Sequence, residues 1–245
     1  MLSKKGIFKD VVLVGSTSDI GIAIINKIPL YDKADIHLVG RRMPEKTSFR
    51  NPNLNLIFHK LDLGDIIEVT NLFTKLSYFE EAELVILAAG FLPEENSEFD
   101  LPSLGETLRV NSISSIICLS GFAKIMYENK GGKILVCSSV ASVRPRLRNF
   151  SYGASKSALD FYAIGLQNRL SKSNLTISIL RPGYVFTKMT KNFKPAPFSI
   201  SLETLAKICV DRLLKNKKII YAPWKLKIVM NLLRVVPRFI FNKLG

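Results

Sequence analysis

Tyr152-Gly153-Ala154-Ser155-Lys156 sets a phenol and an ammonium four residues apart, and on a helix that spacing puts both on one face. An ammonium beside a phenol favours phenolate and draws its pKa down from about 10. A tyrosine tuned in this way can give its proton to a carbonyl oxygen in reduction and take it back in oxidation. Spacing alone is thin ground, because Tyr184/Lys188 and Tyr221/Lys225 share it. Both fail on context. Tyr184 directly follows Pro182-Gly183, and Pro223 separates Tyr221 from Lys225, so neither pair can share a helical face. Tyr152 instead opens a helix-length segment, after a strand-like run that ends in Ser138 and Ser139. Ser139 can share a substrate oxygen with Tyr152. Asn111, inside a long apolar segment, either holds a water that links Lys156 to solvent or serves packing alone.

The elements that must carry these residues alternate along the chain. Strands are expected at 11–14, 36–39, 56–60, 84–88, 134–137, 176–180 and 219–221. Helices are expected from the first turn to residue 28, from 102 to 129, over 152–171 and over 202–215. This pattern specifies an α/β fold, a single Rossmann-type doubly wound parallel sheet with helices on both faces. It occupies residues 1–222, and a basic amphipathic C-terminal helix follows at 223–245.

Such sheets bind ligands beyond the carboxyl ends of their strands. The first strand runs into Gly15-Ser16-Thr17-Ser18-Asp19-Ile20-Gly21, a turn where glycines let backbone approach a pyrophosphate at the start of a helix. The hydroxyls of Ser16, Thr17 and Ser18 either donate to phosphate or cap the helix. Asp19 stands where a third glycine is more usual. The second strand ends in Gly40-Arg41-Arg42 with no carboxylate. Arginine there suits the 2′-phosphate of NADP(H), which is favoured, and NAD(H) stays open because the pair could be a solvated loop. Asp62, with Leu63 beside it, is placed to meet the adenine edge, and Ala89 and Gly90 offer small residues where a dinucleotide crosses the sheet. Cys118, Cys137 and Cys209 have neither metal-ligand nor disulfide spacing, and His37 and His59 are expected to pack separately in their strands, so no metal site is expected.

With these residues assembled, the chain resembles the short-chain dehydrogenase/reductase superfamily over residues 10–222. The resemblance implies that Asn111, Ser139, Tyr152 and Lys156 form a catalytic tetrad, with Tyr152 and Lys156 also touching the cofactor. It implies that Pro182 and Gly183 open a loop whose Val185 backbone and Thr187 side chain hold the nicotinamide amide. Two departures stand out: Asp19, and Leu87-Ala88-Ala89-Gly90 where Asn-Asn-Ala-Gly is usual.

The formal charge of +15 is unevenly placed, and no acidic residue follows Asp211. Such asymmetry calls for an anionic partner. Nucleic acid is not expected, because aromatics are not interleaved with the basic residues. On a helical plot of the tail, Leu226, Val229, Met230, Leu233 and Ile240 form an apolar stripe opposite Lys227, Asn231, Arg234 and Arg238. Residues 224–244 are therefore expected to lie on the inner face of the plasma membrane, holding a cytoplasmic enzyme there, or to pack on a neighbouring subunit of a homo-oligomer. Arg144, Arg146 and Arg148, between Ser139 and Tyr152, suit a phosphate group or form a solvated loop. Through residues 138–170, 181–206 and 221–244 the chain resembles one branch of the superfamily, the reductase subunits of decaprenylphosphoryl-ribose 2-epimerases. That likeness implies reduction of a polyprenylphosphoryl 2-keto-pentofuranose to its arabinose epimer, after a separate flavin oxidase has made the ketone. A general carbonyl reductase would share every catalytic residue.

Overall fold

The computed structural model describes residues 7–74, 79–94, 99–129, 131–145 and 149–237. Seven strands, β1 (Phe8–Val14), β2 (Leu30–Gly40), β3 (Asn55–Lys60), β4 (Leu84–Leu87), β5 (Gly132–Cys137), β6 (Leu175–Pro182) and β7 (Ile219–Ala222), form one sheet in the order β3-β2-β1-β4-β5-β6-β7. Every neighbouring pair is parallel. This is the expected doubly wound Rossmann-type sheet. The strand order reverses between β1 and β4, and the crevice opens there.

Alternation along the strands divides the core into two layers. Val11 and Leu13 of β1 pack with α1 (Asp19–Ile25) and α6 (Leu202–Leu214). Val12 and Val14 pack on the opposite face with α4 (Ser115–Glu128) and α5 (Phe150–Arg169). The expected helix at 102–129 is three pieces: α3 (Leu101–Leu108), a π-helical stretch (Arg109–Ser114) and α4. By length and composition the run 101–128 could cross a membrane, yet Leu119, Phe122 and Met126 are fully buried against the sheet. The π-helical stretch carries Asn111, consistent with the tendency of such irregular turns to occur at functional sites.

Two expectations need correction. Helix α2 (Ile66–Leu72) was not anticipated; Asp65 caps it by accepting from Ile67 N at 2.9 Å and Glu68 N at 3.1 Å. His37 and His59 do not pack separately: Nδ1 of one lies 2.9 Å from Nε2 of the other, with the rings stacked. Residue 59 pairs with Val39 across β2–β3, so His37 is its diagonal neighbour on the same face. Burial, then His37, lowers the His59 pKa. All three cysteines are buried free thiols.

Candidate active site

The residues expected to be catalytic converge because β5 ends where α5 begins. Ser139, just past β5, accepts from Ala141 N at 3.1 Å through its Oγ, so the short turn that follows fixes its rotamer. Asn149, in the left-handed region at φ 54°, starts α5 and sets Tyr152 in its first turn. Lys156 lies one turn further on and is buried. Its Nζ donates to Cys137 O at 3.0 Å and to Ala89 O at 3.4 Å, joining the ends of β5 and β4. Asn111 donates to Phe91 O (2.7 Å) and Ser155 Oγ (3.0 Å) and accepts from Phe91 N (2.7 Å). Both its amide protons are thus committed, and the side chain clamps the loop after β4 to α5.

The electrostatics differ from the simple phenol–ammonium picture. Burial pushes Tyr152 up to about 12, opposed by its hydrogen bond with Ser139. Burial likewise lowers Lys156 to about 8. The expected depression of the tyrosine by the lysine is not found: desolvation dominates, and the Ser139 hydrogen bond is what opposes it. Tyr152 is therefore a neutral phenol at pH 7, the form that can donate a proton to a carbonyl oxygen while Ser139 shares that oxygen.

Ser139, Tyr152 and Lys156 line a cleft of ≈ 1510 Å³, and Asn111 lies outside its lining. Of the residues expected at the cofactor, Gly15, Thr17, Ser18, Asp19, Ile20, Arg42, Ala89 and Gly90 line it, with Tyr152, Lys156 and the segment holding Pro182, Gly183, Val185 and Thr187. Gly15, at φ +92°, could not carry a side chain, since a Cβ would lie 2.7 Å from Ala89 N. Gly21 packs against Leu13 and Ala88, which gives the small Ala88-Ala89 pair a packing reason. Several of the residues expected at the cofactor also make bonds within the protein. Ser16 is buried outside the cleft lining and donates to Arg42 O at 2.7 Å. Ser18 accepts from Gly21 N and caps α1. Of the arginine pair, Arg42 lines the cleft and Arg41 does not. Asp62 and Leu63 also lie outside the lining, with Asp62 Oδ1 accepting from Gly64 N. The donor set still fits a dinucleotide: the lining has a glycine turn at the strand-order reversal, an arginine past β2, and space at Gly90, where a Cβ would meet nothing nearer than 3.5 Å. A nicotinamide cofactor would supply hydride, and Tyr152 is placed to supply the proton.

Part of the cleft lining is apolar and comes from the tail. Helix α7 (Lys225–Val235) turns Leu226, Val229, Met230 and Leu233 into the cleft, and Leu226 and Met230 are buried with Val140 and Tyr221. The expected membrane-facing stripe is therefore a wall of the site. Arg144 is also reassigned, since its Nη1 caps α7 at Leu233 O. Arg146, Arg148, Arg238, Ile240 and the rest of the tail past Pro237 lie outside the described residues. One feature went unread in the sequence. Arg181, buried in β6 just before Pro182, donates to Asp160 Oδ1 (3.0 Å) and to the Tyr221 hydroxyl (2.8 Å), tying β6, α5 and β7 together beneath the loop. An arginine in an apolar strand before Pro-Gly was the available signal.

The chain is similar to known proteins. Residues 9–197 match the short chain dehydrogenase family, and the chain belongs to it. An uncharacterized oxidoreductase of Mycobacterium tuberculosis is 31% identical over 160 residues, covering 65% of this chain and 64% of that protein; the match thus spans under two thirds of the relative. An uncharacterized oxidoreductase of Streptomyces coelicolor is 25% identical over 96% of both chains. The fold is shared with a short-chain dehydrogenase from Sphingobium yanoikuyae in complex with NADPH (TM-score 0.76, 15% identity, covering 94% of this chain and 97% of that one). It is shared equally with one from Burkholderia cenocepacia in complex with NADP (TM-score 0.73, 16% identity, covering 94% and 98%).

Proposed function

We propose that this chain is an NADP(H)-dependent reductase of a bulky ketone with an apolar tail, with a polyprenylphosphoryl 2-keto-pentofuranose, reduced to the arabinose epimer, as its substrate. The observation that carries this reading is the cleft: Ser139, Tyr152 and Lys156 share it with an apolar wall made by α7. Arg42 in the lining, with no carboxylate at the end of β2, supports NADP(H) over NAD(H), as do the NADP and NADPH held by the structural neighbours. A separate flavin oxidase would supply the ketone. The test couples purified protein and such an oxidase to a polyprenylphosphoryl ribose and follows NADPH absorbance. Consumption that needs both proteins supports the reading; none, alongside turnover of other bulky ketones, favours the general carbonyl reductase, which the engagement of Arg144 by α7 also suits.

A lipid-linked substrate calls for a membrane-side enzyme. With the inner stripe of α7 committed to the cleft, its outer face carries Trp224, Ile228, Leu232 and Val235, the last 78% exposed, among Lys225, Lys227 and Arg234. This face suits docking on the anionic cytoplasmic leaflet, each basic side chain adding about 1 kcal/mol near it. Full-length protein should float with anionic vesicles and detach as salt rises, whereas Ile228→Ser with Leu232→Ser should stay in solution. Equal flotation of both would contradict it, and a change from oligomer to monomer in the variant would assign the face to a second copy.

A further inference from the structure

We propose that Asp19 is a positioning residue that latches the segment after β6 across the nucleotide cleft before any dinucleotide binds. The proposal rests on the dinucleotide site alone and holds whatever ketone is reduced. The segment from Val185 to Ile200 is irregular, and its hydrogen bonds mostly close on itself. The Tyr184 hydroxyl is shared between Thr190 O (2.7 Å) and Phe193 O (2.8 Å), Thr190 Oγ1 donates to Val185 O (2.6 Å), and Ile200 N donates to Tyr184 O (3.1 Å). Val185 and Ile200 anchor the two ends of the segment in the core layer that holds Val11 and Leu13 of β1; between them these bonds keep its shape without fixing its place against the glycine turn. One further bond does so: Lys188 N donates to Asp19 Oδ2 at 2.7 Å, across 169 positions of sequence. Among the described residues it is the hydrogen bond that joins this segment to the glycine turn. The Lys188 ammonium lies 3.7 Å from Asp19 Oδ1, but that side chain is 89% exposed and the carboxylate 18%. An ion pair that open to water contributes little. The backbone donor is the latch, and the charge pair is its accessory. Glycine, the more usual residue here, offers no acceptor. Lys188 directly follows Thr187, so the latch sets the residue expected to meet the nicotinamide amide. A loop already in place lowers the ordering cost of binding.

The test measures two quantities on the full chain: hydrogen exchange at the Lys188 amide without cofactor, and the NADPH dissociation constant. Asp19→Gly should speed that exchange and raise the dissociation constant, each by roughly tenfold for a charge-assisted bond lost. The ketone KM at saturating NADPH should hold steady. Asp19→Ala, which keeps helix propensity at the start of α1, should show the same two losses, so poor folding of the glycine variant does not decide the matter. Asp19→Asn keeps an acceptor oxygen and should restore most of both. Lys188→Ala keeps the backbone donor and should exchange like the parent protein. Unchanged exchange in Asp19→Gly and Asp19→Ala, or an effect of Lys188→Ala as large as theirs, would overturn the latch.

Discussion

Two parts of the cleft lining, here called its ends, are built in opposite ways. The catalytic end is polar and buried, and neighbouring backbone holds its groups: Lys156 by Cys137 O and Ala89 O, Asn111 by both polar groups of Phe91. The end proposed for substrate is apolar and assembled from separate segments, with Leu226 and Met230 of α7 packed on Val140 and Tyr221. Hydrogen bonds fix position to tenths of an ångström, which proton transfer requires. Apolar packing fixes volume more than direction, so the substrate end can change its occupant while the chemistry stays constant.

Substitutions at the two ends should therefore fail differently. The largest effect belongs to Tyr152→Phe, which removes only the proton donor. Turnover should fall by about 10²–10⁴ with the NADPH dissociation constant nearly unchanged; retention of more than a few per cent of activity would sink the mechanism. Next comes the support beneath both ends. Asp160→Ala leaves Arg181 buried without its carboxylate and should cost about 3–5 kcal/mol in urea unfolding. At the substrate end, Leu233→Ala should raise KM for a long-tailed ketone by on the order of tenfold, from lost apolar contact, and leave a short ketone unaffected. At the nucleotide end the arginine pair should split: Arg42→Ala weakens NADPH binding far more than NADH binding, and Arg41→Ala changes neither. Equal affinity of the parent protein for both nucleotides would reduce the pair to a solvated loop.

The smallest expected effect is on pH. Burial lowers Lys156 to about 8, so its ammonium is present below pH 8 and lost as pH rises through that value. Reduction that depends on this charge should be level from pH 6 to 7 and decline above about 8, read as a single ionisation in kcat/KM. A limb centred near 10 would show the lysine unshifted.

Legibility in the sequence follows the same division. Tyr152, Lys156 and the glycine turn were readable because local spacing defines them and one helix or turn carries each. The strands were readable from apolar runs, since a sheet covered on both faces buries both sides of every strand. Helix α2 escaped because its sequence is short and mixed, with only Asp65 and Glu68 marking its start. The direction of α7 also escaped. Its residues are apolar on more than one side, Leu226 and Met230 inward and Ile228 and Leu232 outward, so a helical plot shows amphipathicity without saying which stripe meets the protein. The histidine pair was hidden for a related reason: partners on adjacent strands are visible only once register is known.

The central claim is that one cleft joins a Tyr152 proton donor to an apolar substrate wall. It is tested most directly by following NADPH oxidation with a series of ketones that share one head group and differ only in tail length. The account predicts kcat/KM rising with tail length in the parent protein, a flatter rise in Leu233→Ala, and no turnover of any member by Tyr152→Phe. A flat series in the parent protein would contradict it, as would turnover that survives the loss of the phenol.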